Sequence, residues 1–269
     1  MIDLHSEDFD IEKIADSGQC FRLTPAGDGT YLLNAAGRLL RIAPRPGGAS
    51  LDCTAAEYDG VWRAYFDMDA SYAAYRAAIP PEDGYLTRAA EFGRGIRILR
   101  QDPWEMLVTF LISQRKNIPA IRCCVEQLCS RYGEPIGDGA RAFPAAARLA
   151  ELEEDALRVC SLGYRAGYVR AAARMTAEGA LSPALMAGLD DAALTESLLT
   201  VPGVGPKVAS CVSLFGYHRL SGFPRDVWIN RVIDREYGGS FPLERYAGFE
   251  GVIQQYLFYY GRSAGTGVS

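Results

Sequence analysis

Lysine is scarce in this chain, and one lysine is placed where it could act as a nucleophile. Of the 28 lysine and arginine residues only three are lysines, Lys13, Lys116 and Lys207. An arginine side chain stays charged, whereas a lysine amine can lose its proton and attack a carbon atom. Lys207 comes directly after the glycine-rich stretch Val201–Pro206. We therefore interpret Lys207 as a candidate nucleophile, and the alternative is a lysine on a solvated helix face.

The stretch before Lys207 has the composition of a tight turn between two helices. The apolar pair Leu198-Leu199 ends one helical pattern, and Pro206 suits the first turn of the next helix. Gly203 and Gly205 permit positive φ and a close approach of another backbone. The free N–H groups at the start of the second helix would carry partial positive charge and could bind an anion. A plain helical hairpin with a glycine turn is the alternative.

Asp226 is the second residue whose position suggests chemistry. It follows Pro224 and precedes an apolar helical pattern, namely Val227, Trp228, Ile229, Val232 and Ile233. An aspartate before such a pattern is a typical helix N-cap. A carboxylate held in this way can also stabilise a positive charge that develops in a reaction. Both roles can hold together.

The elements that position these residues are predicted from hydrophobic periodicity. Short alternating runs separated by glycine turns predict an antiparallel sheet, with strands at Gln19–Leu23, Tyr31–Asn34, Leu39–Ala43 and Leu51–Thr54. From Val61 onward the period becomes helical. Asp102, Pro103 and Glu105 predict a capping-box-like helix start, with Trp104, Leu107, Val108, Leu111 and Ile112 buried. Further helices are predicted after Asn117-Ile118-Pro119, ending near Tyr132-Gly133, and at Ala150–Cys160, Tyr164–Glu178 and Asp191–Leu199.

This order of elements predicts an α+β fold, with an antiparallel sheet domain followed by an all-helical body. We expect residues 1–92 to form the sheet domain with its flanking helices. Residues 93–269 would form the helical domain that carries Lys207 and Asp226.

Five segments together resemble the helix-hairpin-helix DNA glycosylases, and most closely the 8-oxoguanine DNA glycosylases. Two are the turn before Lys207 and the Pro224–Trp228 stretch, and the others are Asp16–Arg22, Arg100–Glu105 and Leu162–Ala166. The resemblance extends from about residue 9 to about residue 262. It implies a helix-hairpin-helix glycosylase domain in the helical body.

The resemblance also implies a reaction. A base-excision repair enzyme of this kind flips 8-oxoguanine out of duplex DNA and cleaves its glycosidic bond. Lys207 would attack C1′ and form a Schiff base, which also permits β-elimination at the abasic site. Asp226 would stabilise the oxocarbenium-like sugar, and Gly203 and Gly205 would bind a backbone phosphate.

Four residues are implied to hold the flipped base. The carbonyl of Gly18 would accept the N7 proton that 8-oxoguanine has and guanine lacks. Cys211 and Phe258 would lie against the two faces of the base, and Gln254 would hydrogen-bond to its Watson–Crick edge. Ordinary core packing is the alternative for Cys211 and Phe258, and a surface amide is the alternative for Gln254.

The residues expected to face the opposite strand match the family only in part. Tyr164 and Arg165 match its wedge and opposite-base residues, although Arg165 could be a plain surface arginine. Where the family often has a run of asparagines, this chain has Gln114-Arg115-Lys116-Asn117, so that only Asn117 remains. Trp228 stands where the family often has a histidine, and we expect this difference to alter a phosphate contact.

Composition limits the class of protein. About half of the 269 residues are apolar, no run of about 20 apolar residues occurs, and the formal net charge is −5. Any DNA-binding surface must therefore be local. The cysteines are odd in number and follow no disulfide spacing, and the N-terminus lacks a leader pattern. We expect a bacterial-type cytoplasmic monomer, associated with the nucleoid when bound to DNA, whose partner is duplex DNA with an oxidised purine and which contacts no membrane.

Two other functions remain open at this stage. An alkylpurine glycosylase of the same superfamily would use the aspartate with a water nucleophile, and Lys207 argues against it. A non-catalytic helix-hairpin-helix protein would use the turn only to bind phosphate, and retention of both Lys207 and Asp226 argues against that. The iron–sulfur members are excluded because no cysteine follows Cys211. We expect no metal and no cofactor.

Overall fold

The computed structural model describes residues 1–265. The chain forms two compact units, each assembled from separated stretches. Unit 1 comprises Met1–Cys20, Ile42–Arg100 and the described residues from His218 onward, and unit 2 comprises Phe21–Arg41 and Gln101–Tyr217. In the described part of the chain no helix is long and apolar enough to cross a membrane. The expected domain boundary at residue 92 stays a prediction.

Five strands form one sheet in the order β1-β5-β4-β3-β2. They are β1 (Ile2–His5), β2 (Leu23–Pro25), β3 (Tyr31–Ala35), β4 (Arg38–Arg45) and β5 (Gly48–Leu51). In unit 1, β5 pairs antiparallel with β1 and with β4, and in unit 2, β2 pairs antiparallel with β3. The predicted antiparallel sheet is confirmed.

β3 and β4 are one to three residues longer than predicted, and the other three strands depart further from the sequence prediction. β1 was not predicted, because its four residues precede the first turn signal. The predicted strand Gln19–Leu23 is extended only from Leu23, since Gln19 is held in a loop. The predicted strand Leu51–Thr54 ends at Leu51, where Thr54 instead caps a short helix.

Helices make up most of the remaining chain. In chain order they are α1 (Ile11–Asp16), α2 (Ala55–Glu57), α3 (Arg63–Tyr65), α4 (Tyr72–Ala77), α5 (Gly84–Phe92), α6 (Pro103–Ser113), α7 (Ile118–Tyr132), α8 (Ala146–Ala150), α9 (Glu154–Leu157), α10 (Arg165–Ala177), α11 (Pro183–Ala187), α12 (Asp191–Leu199), α13 (Pro206–Phe215), α14 (Val227–Tyr237) and α15 (Glu250–Gly265). Two π-helical turns lie at Tyr58–Trp62 and Arg158–Leu162, and a 3₁₀ turn lies at Leu243–Tyr246. A small hairpin pairs β6 (Pro135–Gly137) with β7 (Ala140–Arg141).

Helix α6 is the central helix of unit 2. It packs against α7, α10 and α13, and eight of its eleven residues are buried. The predicted stripe is buried, and so are Met106, Thr109 and Phe110, because neighbours surround this helix. Its Asp102 cap accepts a hydrogen bond from Glu105 N at 2.8 Å. The reciprocal half of the predicted capping box is replaced by an approach of Glu105 to Arg22, at 3.9 Å.

The predicted helix Ala150–Cys160 is wrong as a single element. The chain forms α8, α9 and then the π-turn at Arg158–Leu162. Cys160 and Ser161 leave helical geometry, with φ of +61° at Ser161. This kink interrupts the run immediately before Tyr164 and Arg165, so the π-turn positions the start of α10.

The core of unit 1 is aromatic and is centred on α15, which packs against α5 and α14. Trp62, Phe66, Tyr72 and Tyr256 are almost fully buried. Phe66 makes an edge-on contact with Phe9, at 5.1 Å between ring centroids. The predicted change to helical periodicity after Val61 is confirmed by α3 and α4.

A polar cluster around the buried Asp67 joins Arg100, where the chain leaves unit 1 for the second time, to His218, where it returns. The Asp67 carboxylate pairs with Arg100 at 2.8 Å, lies 3.2 Å from His218 Nε2, and accepts a hydrogen bond from Tyr72. Burial, aided by Arg100, lowers the pKa of His218 to about 4. His218 is therefore neutral at physiological pH.

Candidate active site

The turn before Lys207 forms the predicted helical hairpin in unit 2. Helix α12 ends at Leu199, α13 begins at Pro206, and the two helices pack together. Val201 and Val204 are buried beneath the turn. The amide of Gln114, at the end of α6, donates to Gly203 O at 3.1 Å. The hairpin is thus anchored on the central helix of the unit.

The two glycines of the hairpin have different roles. Gly203 has φ of +85°, and a Cβ there would lie 2.4 Å from Tyr168 Cδ2, so this position requires glycine. Gly205 has φ of −102° and is the N-cap of α13, and a Cβ there would meet no described atom within 4 Å. Both glycines permit positive φ, but only Gly203 adopts it. The open space above Gly205 leaves the start of α13 accessible to an anion.

Lys207 lies on the first turn of α13 and is exposed. Its Nζ is 5.3 Å from the centroid of the Phe110 ring, which is stacked on Phe215. Within the described residues of unit 2 the amine has no ion pair and no hydrogen bond. The amine therefore rests on an aromatic surface and is available to react. Cys211, one turn further along α13, is buried.

The residues predicted to face the opposite strand lie at two loops of unit 2. Asn117 is exposed and caps α7, accepting from Ala120 N at 2.9 Å. Tyr164 is 54% exposed, as an intercalating wedge requires. Arg165 is buried, and its guanidinium donates to Gln114 O and Leu162 O. The alternative of a surface arginine is wrong, and most donors of Arg165 are engaged within the protein.

Asp226 is the N-cap of α14 in unit 1, as predicted. Its Oδ1 accepts a hydrogen bond from Ile229 N at 2.9 Å, and the residue is half-buried. Gln254 is 4% exposed, and its amide donates to Pro224 O at 3.1 Å. The alternative of a surface amide for Gln254 is wrong. Gln254 instead supports the turn that presents Asp226.

Gly18 and Phe258 also belong to unit 1. Gly18 has φ of +77° and sits between two buried polar residues. One of them, Gln19, donates to Arg97 O at 2.9 Å and accepts from Leu99 N at 2.8 Å, which fixes the backbone around Gly18. Phe258 is half-buried on α15, one turn after Gln254, with the Arg262 guanidinium 5.6 Å from its ring.

Unit 2 therefore brings together Lys207, Cys211 and the hairpin glycines, and unit 1 brings together Asp226 and Gln254. Sequence reasoning missed the supporting residues Gln19, Phe110 and Gln114. The only signal for Gln114 was a polar residue at the end of an apolar helix. Among residues 1–265 no group of three or more histidine, cysteine, aspartate or glutamate residues is arranged to hold a metal ion.

Comparison with known families covers most of the chain. Residues 1–107 match the N-terminal domain of 8-oxoguanine DNA glycosylase, and residues 108–241 match the HhH-GPD superfamily of base excision DNA repair proteins. The solved structure of MBOgg1 in complex with a low affinity DNA ligand is 33% identical, with 97% of this chain and 94% of that chain covered and a TM-score of 0.92. The chain belongs to the 8-oxoguanine DNA glycosylase family. The predicted family and fold class are confirmed.

Two further similar proteins are a glycosylase/lyase of known structure and a yeast N-glycosylase/DNA lyase. The 8-oxoguanine glycosylase/lyase of Clostridium acetobutylicum, solved with duplex DNA containing cytosine opposite 8-oxoguanine, is 32% identical. The structural alignment covers 96% of this chain and 93% of the Clostridium chain, with a TM-score of 0.89. The N-glycosylase/DNA lyase of Saccharomyces cerevisiae is 35% identical over 54% of this chain. The match spans 42% of the yeast protein's length.

Proposed function

We propose that this protein is a bifunctional base-excision repair enzyme that removes 8-oxoguanine from duplex DNA and then cleaves the strand by β-elimination. One observation carries the proposal: the exposed amine of Lys207 stands on the first turn of α13, next to an accessible helix start. A phosphate bound at that helix start would place a nucleotide sugar beside the amine.

The proposed reaction begins with attack on the sugar. The lone pair of the Lys207 amine forms a bond to C1′, the C1′–N9 bond breaks, and its electron pair leaves with the base, which gains a proton. The Asp226 carboxylate offsets the positive charge on the sugar as that bond breaks. Ring opening gives a Schiff base between C1′ and Lys207. Loss of a C2′ proton then expels the 3′ phosphate.

Recognition of the base rests on the remaining site residues. The rigid segment around Gly18 supports a carbonyl that accepts the N7 proton of 8-oxoguanine. Cys211 and Phe258 would contact the two faces of the base, and Gln254 would meet its Watson–Crick edge. We expect the enzyme to act on DNA in a bacterial-type cytoplasm. Action as a monomer stays a prediction.

Borohydride trapping tests the proposal. Reduction of the Schiff base should link the wild-type protein covalently to duplex DNA with 8-oxoguanine, but not to undamaged DNA. Lys207→Gln should abolish the adduct and leave lesion binding largely intact. Lys13→Gln is the matched control, because it removes a lysine bound to the backbone of Arg94, and it should trap normally.

The alternatives give different results in the same assay. An alkylpurine glycosylase would excise an alkylated base without any trapped adduct, and a non-catalytic binder would neither excise nor trap. Trapping that persists in Lys207→Gln would move the nucleophile to another residue.

A further inference from the structure

A basic, aromatic cleft lies along α14 in unit 1. It has a volume of about 410 Å³ and includes Tyr85, Arg88, Trp228, Arg231, Arg235 and Tyr260. We call it the α14 cleft. None of these residues has a role in the proposed reaction.

The charge of the α14 cleft differs from that of the whole protein. The chain carries a formal net charge of −5. The cleft instead holds three guanidinium groups, those of Arg88, Arg231 and Arg235, against the one carboxylate of Glu236, which lies 3.2 Å from Arg235. All three arginines are exposed. A polyanion would therefore be attracted to this cleft, although the protein as a whole repels it.

The arginines follow one face of the helix that Asp226 caps. Arg231 comes three residues after Trp228, and Arg235 comes four residues after Arg231, so the three side chains share a face. Four residues of helix rise about 6 Å, and nucleotides of one DNA strand rise about 3.4 Å each along the duplex axis. The two arginines therefore match the spacing of phosphates about two nucleotides apart.

Trp228 positions the first of these arginines. The Arg231 guanidinium lies 5.1 Å from the centroid of the Trp228 ring, within the range of a cation–π contact. This contact restrains the arginine before any ligand binds, which lowers the entropy lost on binding. Where family members often have a histidine, the tryptophan thus presents a cation one turn further along α14.

We propose that the α14 cleft binds the phosphodiester backbone of the lesion-bearing strand, through Arg231 and Arg235, beside the nucleotide whose sugar faces Asp226. The inference rests on the proposed function and adds a strand-tracking surface to it. Arg88 contributes a third positive charge from α5. A flanking strand would then be held by contacts that do not depend on the base sequence.

Salt-dependent binding tests the inference. In the Lys207→Gln background, which prevents turnover, Arg231→Gln/Arg235→Gln should weaken binding to damaged and undamaged duplexes alike. The slope of log K against log salt is negative, and each lost phosphate contact makes it shallower by about 0.9. The affinity advantage of the Lys207→Gln parent over the protein that also carries the two glutamine substitutions should therefore shrink by about tenfold between about 50 and 200 mM salt.

Two controls separate phosphate binding from other effects. Arg231→Lys/Arg235→Lys keeps the charges and should keep the slope. Arg63→Gln removes an exposed, ion-paired arginine elsewhere in unit 1, paired with Asp69 at 2.6 Å, and should bind as the parent does. A double glutamine variant with the parental slope would overturn the inference. Loss of affinity without a change of slope would overturn it too, because it would indicate an effect on packing.

A second set of measurements distinguishes this inference from the proposed function. Excision and trapping are measured on the protein with Lys207 intact. Excision by that protein combined with an unchanged slope in the double glutamine variant would reject only the α14 cleft. Absence of excision and of trapping would reject the proposed function, whatever the slope.

Discussion

The two carboxylate oxygens of Asp226 have different surroundings. Oδ1 caps α14, while Oδ2 has no hydrogen-bond donor in the described chain. A helix cap needs only the first oxygen, and asparagine supplies one equally well. The capping hydrogen bond therefore does not require the negative charge, which leaves that charge available for a role in the reaction.

Replacing Asp226 with asparagine separates the cap from the charge. We expect Asp226→Asn to keep the stability of the fold but to slow base excision by at least about tenfold, or roughly 1.4 kcal/mol of transition-state stabilisation. Asp190→Asn is the matched control, since Asp190 caps α12 through Ala193 N at 2.8 Å. Single-turnover excision and thermal unfolding measure both effects. Wild-type excision by Asp226→Asn would reduce the residue to a cap.

Glu105 is a residue whose charge opposes folding. Burial raises the pKa of Glu105 to about 7, and the approach of Arg22 at 3.9 Å offsets only part of that effect. In the unfolded chain the Glu105 carboxyl has its ordinary pKa, which is lower than its pKa in the folded protein. Between pH about 4.5 and about 7 the unfolded state thus loses its proton first, and the free energy of unfolding falls as pH rises.

Glu105→Gln should remove this dependence. We expect the variant to match the wild type near pH 5 and to be more stable by up to about 3 kcal/mol near pH 8. Urea unfolding across that range is the measurement. If the wild type instead gains stability relative to the variant as pH rises, the ion pair with Arg22 outweighs desolvation.

Sequence reasoning at this scale found residues by type and missed their partners. Lys207 stands out because it is a rare lysine. The apolar pattern after Asp226 predicts only a helix cap, and its proposed role in the reaction rests on the family resemblance. Gln19 meets Arg97 and Leu99, about 80 positions away in the chain. Partners so distant leave no local pattern, so the support of the candidate site could not be predicted.

Among the structural elements, the hairpin contains two glycines that affect different properties of the protein. Gly203 holds a left-handed conformation against Tyr168, which concerns stability. Gly205 leaves the start of α13 uncovered, which concerns access for a phosphate. Periodicity predicted the hairpin, but it could not assign a conformation to each glycine.

Alanine at the two positions should therefore have different effects. Gly203→Ala is expected to lower the free energy of unfolding by about 2 kcal/mol or more, from strain and overlap with Tyr168. Gly205→Ala should cost about 1 kcal/mol or less, yet weaken DNA binding because its methyl group covers the helix start. Urea unfolding and binding titrations test both variants. Equal losses of stability would contradict this division.

At the scale of the whole molecule, the fold class was predictable and the grouping of the chain was not. The α+β order follows from local periodicity, which changes from two to 3.6 residues after the sheet. The compact units instead collect stretches that lie far apart in the sequence, such as Met1–Cys20 with the described residues from His218 onward. That grouping depends on long-range burial, about which local patterns carry no information.

We expect the choice of base opposite the lesion to depend on several loops of unit 2 together. An orphaned cytosine offers acceptors at O2 and N3 and a donor at N4, so reading it fully takes donor and acceptor side chains. Arg115 is exposed in a left-handed conformation, with φ of +53°, and it is a donor only. Lys116 donates to Ser161 O at 3.2 Å. Arg165 is already bound to backbone carbonyls, and Ala120, which stands where the family commonly has an arginine, has no polar side chain.

We therefore expect only a modest preference for cytosine opposite 8-oxoguanine, because exposed donors also suit the carbonyl oxygens of thymine and the ring nitrogens of adenine. The penalty for a wrong partner should be smaller than the roughly 1 to 3 kcal/mol of a full bidentate contact. Single-turnover excision opposite each of the four bases is the measurement.

A substitution at Arg115 sharpens the test. Asparagine tolerates the left-handed conformation and adds an acceptor, so Arg115→Asn should raise the preference for cytosine, whereas Arg131→Asn on α7 should not. Wild-type rates opposite adenine that fall more than about a hundredfold below those opposite cytosine, a difference near 2.7 kcal/mol, would contradict the prediction. That result would assign the missing acceptor to Asn117 or to a backbone carbonyl, since neither Arg115 nor Lys116 can accept a hydrogen bond.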